Sequence, residues 1–91
     1  MNIKFGKTHT FEGKEYKDLK IDLDGLTGKD LVDASREARL LGDAGQVQEF
    51  SAVYLAVVAA KAAKVPVDMI LSLPAKDFTA VKTAVQNFLL A

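Results

Sequence analysis

Cysteine is absent from the chain, which excludes a disulfide scaffold, a thiolate metal site and a cysteine nucleophile. Tryptophan is absent as well, and the single histidine, His9, lies between Thr8 and Thr10 in a stretch that reads as a strand. No catalytic constellation or histidine-rich metal set stands out around it. An excess of either charge is also missing: twelve basic and twelve acidic residues give a net charge of zero. A chain so balanced has no means of neutralising a long track of phosphates, so nucleic acid is not expected as a partner. Long apolar runs are missing too. The longest, Ala52 to Ala60, is nine residues, less than half of the roughly 20 that a membrane helix needs. Met1 to Gly6 contain no signal-peptide core. The expectation is a soluble, unexported protein with no cofactor and no membrane partner, not an enzyme.

What is present is unevenly distributed. The first 43 residues carry seventeen charged side chains, whereas the 48 residues from Ala44 onward carry seven. A small domain ordinarily coats its surface with charge. A chain of this size hides only about 60 to 65% of its unfolded surface. The charge-poor half is therefore expected to hold apolar surface that a homo-oligomer or a hydrophobic client would cover.

The pattern predicts an α+β fold, mainly α, in one domain over residues 1–91: a β-hairpin over 2–23 and a helical part over 27–91, with three main helices and one short one. Ile3 and Phe5 alternate with polar neighbours, as do Leu19, Ile21 and Leu23, and Gly13 suits a turn with positive φ. Thr27 and Asp30 have capping-box spacing, which starts a helix near Gly28, and Leu31, Ala34, Ala38 and Leu41 form its apolar stripe before Gly42 ends it. A second helix is predicted over about Gln46 to Lys64, roughly 30 Å long. It has a bulky stripe (Val47, Phe50, Tyr54, Val57, Val58) and a flat one (Ala52, Ala56, Ala59, Ala60, Ala63). The alanine face fits close helix packing and simple helix propensity equally well. Pro66 leads a short helix over Val67 to Leu71. Pro74 leads the last, Ala75 to Leu90, with Phe78, Val81, Val85, Phe88 and Leu89 on its stripe.

Candidate chemistry is thin. Asp22 with Asp24 and Asp30 with Asp33 are paired carboxylates without a calcium-loop glycine or a histidine, and read as solvated charges. Asp33-Ala34-Ser35 departs from the acyl carrier pattern, because no leucine follows the serine and Ser35 lies two turns inside the helix.

Three segments carry a family likeness. Phe11-Glu12-Gly13-Lys14-Glu15-Tyr16 with Leu19-Lys20-Ile21, then Leu26-Thr27-Gly28-Lys29-Asp30-Leu31, and finally Val65-Pro66-Val67 with Leu73-Pro74, Asp77-Phe78, Val85 and Phe88-Leu89, resemble the tail assembly chaperones of long-tailed bacteriophages. The resemblance implies a protein of the bacterial host's cytoplasm, not expected in the mature virion. It would bind the tape measure protein and keep it soluble while tube subunits assemble around it. Taken with the apolar half, it makes Val53, Tyr54, Val57 and Val58 of the second helix and Phe88, Leu89 and Leu90 at the end of the last one the expected partner-binding residues. A structural homo-oligomer without a chaperone role is the alternative.

Overall fold

In the computed structural model, which describes residues 1–42 and 51–91, the chain runs β1 (Asn2–Phe11), β2 (Lys14–Lys20), α1 (Gly28–Leu40), α2 (Ala52–Ala63), α3 (Val67–Leu71) and α4 (Ala75–Leu90). This is the expected α+β, mainly α, fold. The two strands form an antiparallel hairpin, and Glu12 and Gly13 at its tip both have positive φ (50° and 78°). That pair of signs marks a type I′ turn, the two-residue loop whose twist matches the strands it joins. Beyond β2 the chain stays extended, and Ile21 and Leu23 enter the core at 2% and 4% exposure.

The hairpin ladder is interrupted. Lys4 stands opposite Asp18 and His9 opposite Tyr16, so five residue steps along β1 are matched by only two along β2. A bulge of this size takes backbone groups out of the ladder, and the Gly6 N–H donates instead to Asp77 Oδ1 of α4 at 3.0 Å.

The first turns of α1 and α4 explain why that carboxylate is available. In α1, Thr27 is the N-cap and Asp30 the third helical residue. The Asp30 N–H donates to Thr27 Oγ1 (3.3 Å) and the Thr27 N–H donates to Asp30 Oδ2 (2.8 Å), which closes a reciprocal capping box. In α4, Pro74 occupies the N-cap and Asp77 the equivalent third position. Proline has no N–H to offer, so the Asp77 carboxylate takes a donor from another element, and the same local spacing becomes a tertiary tie.

α2 is the central helix. It packs against α1, α3 and α4, and its residues from Tyr54 to Ala60 are all buried. A helix apolar on every side belongs inside a fold. Ala34 and Ala38 of α1, both without exposed surface, and Ala56, Ala59 and Ala60 of α2 are part of one core cluster with Leu55, Met69, Ile70, Val81 and Val85. The small side chains thus serve close packing within the chain.

Two boundaries differ from the pattern. Ser51 is extended (φ −81°, ψ 121°) and its hydroxyl accepts from the Tyr54 N–H at 3.2 Å. A serine in that role begins a helix, so α2 starts at Ala52 and is about 18 Å long at 1.5 Å per residue. The part of the predicted helix over residues 46–50, with Val47 and Phe50, lies outside the described residues. Leu41, expected on the α1 stripe, is instead the C-cap, 46% exposed, and Gly42 follows with φ 100°.

α2 ends in a Schellman motif. Val65 N–H donates to the Ala60 carbonyl (3.1 Å) and Lys64 N–H to that of Lys61 (3.4 Å). The left-handed position normally held by glycine is occupied by Lys64, with φ 58° and ψ 44°.

Candidate partner-binding surface

Several carboxylates of the described residues are engaged in local structure. Asp22 Oδ1 accepts the Gly25 N–H at 3.2 Å, Asp30 closes the α1 capping box, and Asp33 faces Arg36 at 3.7 Å one turn away. The Asp30 pKa is lowered, first by the Thr27 N–H that its carboxylate accepts and less by the positive charges of Lys61 and Lys29. Among the described residues no group of acidic or histidine side chains could hold a metal ion. None of the described helices is long and apolar enough to cross a membrane.

The seam between hairpin and helices carries a second polar tie. The Ser72 hydroxyl donates to the Met69 carbonyl (2.7 Å), which commits its one hydrogen, so the 2.8 Å contact with His9 is a bond from the ring Nε2–H to Ser72 Oγ. His9 also meets Phe5 edge to face, with ring centroids 6.4 Å apart. Beside the seam an open depression of about 370 Å³ is lined by Gly6, Lys7, Pro74, Lys76 and Asp77.

The expected partner-binding residues separate into two groups. Tyr54, Val57 and Val58 lie in the core, at 6%, 0% and 0% exposure, and Val53 at the start of α2 is half-buried. Phe88 and Leu90, at 40% and 54%, are exposed, with Leu89 half-buried between them. Phe88 follows Val81 and Val85 by seven and three residues and so continues their stripe. Those valines are 1% and 0% exposed. The last turn of α4 therefore carries the core stripe past the point where other side chains cover it. From Thr83 to Ala91 this part of the chain holds no charged side chain.

Further apolar exposure lies at the end of α1, where Leu40 is 83% exposed beside Leu41, with Val32 at 58% on the same helix. Neither Leu40 nor Val32 was among the sequence candidates. The signal for Leu40 was its place opposite the α1 stripe, nine residues and so about 180° around the helix from Leu31.

A small α+β chain, mainly helical, with several carboxylates engaged as caps and ties and with Phe88, Leu90 and Leu40 uncovered, has the make-up of a protein that works through protein contacts. The chain belongs to the family of phage tail assembly chaperone proteins, E, or 41 or 14, whose model matches residues 2–90. No curated protein and no solved structure matches it. Membership implies protein partners during tail assembly and a role that is not enzymatic.

Proposed function

We propose that the chain binds the tape measure protein in the host cytoplasm and keeps it soluble during tail assembly, through the last turn of α4. The observation that carries this reading is the uncharged, uncovered end of that helix in a member of the tail assembly chaperone family. Phe88, Leu89 and Leu90 are the contact residues, with half-buried Val53 of α2 as a further one. Tyr54, Val57 and Val58 contribute from within, since a partner gains nothing from atoms without exposed surface, and they hold the fold that presents the others.

The affinity this surface supplies is small and reversible. Full burial of a Leu or Phe side chain contributes about 1.5–3 kcal/mol, and about half of each of Phe88 and Leu90 is still to be buried, so the pair adds about 1.5–3 kcal/mol. An increment of that size adds to the other contacts that hold a soluble complex, and it is small enough to give way when tube subunits cover the client better. No nucleotide is required.

Co-expression with the tape measure protein of the same genome tests the proposal. The expected result is a larger soluble fraction of the client, co-eluting with this chain on size exclusion. Leu90→Asp and Phe88→Ser should lower that fraction while circular dichroism reports unchanged helix. Full rescue by both folded variants would remove the end of α4 from the site.

A further inference from the structure

The bulge in β1 divides the hairpin into two ladders with different attachments. The inner one pairs Asn2, Ile3 and Lys4 with Lys20, Leu19 and Asp18. It is fastened to the body, because Leu19 and Ile21 are 3% and 2% exposed. In addition, the Ile21 N–H donates to the Met1 carbonyl and the Asp22 N–H to the Ala62 carbonyl at the end of α2.

The outer ladder has three rungs, His9 with Tyr16, Thr10 with Glu15 and Phe11 with Lys14, closed by the turn. None of its side chains is fully buried: Phe11, His9 and Tyr16 are half-buried and the rest are exposed. A free two-stranded hairpin is marginal in water, so attachment to the helices holds this part in place. That attachment is the half-covered apolar underside and two polar ties, Gly6 N–H to Asp77 and His9 to Ser72. One tie leaves the bulge itself and the other leaves the first rung beyond it.

From this arrangement we propose that the outer hairpin, residues 5–17, is a strap. It opens about the β1 bulge while the inner ladder and the helices stay folded, and the Asp77 and Ser72 contacts are its latches. Opening breaks no rung of the inner ladder, whereas the released outer ladder, a two-stranded hairpin marginal in water, frays and lets its amides exchange. Opening releases two hydrogen bonds and lifts Phe5, Phe11 and Tyr16 off the core, which uncovers an apolar underside next to the depression at Pro74 and Asp77. The latch is mechanical: the His9 ring donates through Nε2–H whether or not its other nitrogen is protonated.

Native-state hydrogen exchange of the whole chain tests the strap. Amides of residues 9–16 should exchange as a group through an opening with little denaturant dependence, at least about tenfold more often than the amides of Val57 and Val81. Val57→Ala should raise exchange in α2 and α4 but leave residues 9–16 unchanged, since the core is intact in both the closed and the open strap. Ser72→Ala should raise exchange of residues 9–16 about tenfold, the effect of losing one such bond. Were residues 9–16 to exchange at the rate and denaturant dependence of the α2 core, the strap would be overturned. Should Val57→Ala prove too unstable to study, the denaturant dependence in the unsubstituted protein decides alone.

Discussion

Replacing Asp77 separates the tertiary tie from the helix end on which it sits. Asp77→Ala removes a charge-assisted hydrogen bond to the Gly6 N–H, of the kind that contributes about 1.5–3 kcal/mol. It also removes a negative charge from the first turn of α4, worth about 0.3–1 kcal/mol. Asp77 is 8% exposed, so water does not readily replace it. The expected loss is about 2–4 kcal/mol. For a domain of this size each kcal/mol lowers Tm by about 4–8 °C, so the melt should fall by about 8–32 °C. Asp77→Asn is the control, because the amide keeps an oxygen that can accept from Gly6 while the charge is lost. The difference between Ala and Asn then reports the tie, about 1–2 kcal/mol. Thermal melts followed by circular dichroism, with amide exchange at Gly6, measure both. Equal melting of the two variants, with the Gly6 amide no less protected in Asp77→Ala, would refute the account of Pro74 redirecting the carboxylate to the hairpin.

Three further outcomes follow from the same geometry. Lys64→Gly should raise stability by about 0.5–1 kcal/mol in a urea titration, because a left-handed backbone costs an L-residue energy that glycine does not pay. No gain there would mean that the lysine stem packs well enough to offset its backbone. The Asp30 pKa is held below its ordinary 3.8 in the folded chain, so its capping contribution is complete above that value and is lost as pH falls through the lowered one. Acid titration should therefore loosen the α1 amides near Thr27 below pH 3.8 in the parent and show no such step in Asp30→Asn. Val57→Asp should abolish the fold itself, since an unpaired carboxylate at a position with 0% exposure costs several kcal/mol. Retained far-ultraviolet helix signal in that variant would contradict the burial.

The fold was largely readable where the physical signal is local. Alternation, Gly13, the Thr27/Asp30 box and the two prolines mark the hairpin, α1, α3 and α4 because each rests on backbone constraints of a few neighbouring residues. α2 was harder. Its helical period continues upstream through Val47 and Phe50, and an apolar period cannot reveal that Ser51 uses its hydroxyl on the Tyr54 N–H. The candidate surface was half legible for a related reason. Val57 and Leu90 are equally apolar in sequence, and only the packing of three helices around α2 determines that the first is covered and the second is not.

The two aspartates at third helical positions show where such reading ends. Thr27-Gly28-Lys29-Asp30 and Pro74-Ala75-Lys76-Asp77 have the same spacing, and each acid follows a lysine at the start of a helix. In the first, the cap residue has an N–H and the carboxylate closes on it. In the second, the cap residue has none, which the sequence states plainly. The vacancy alone does not select Gly6, because the donor comes from a strand 71 residues away and is free only where β1 bulges. In this chain the proline at the N-cap leaves Asp77 without the local donor that Asp30 has, and its partner is set by the tertiary fold. Here that partner ties the charge-rich hairpin to helix α4 of the charge-poor half, and the two unlike halves of the sequence meet at that bond.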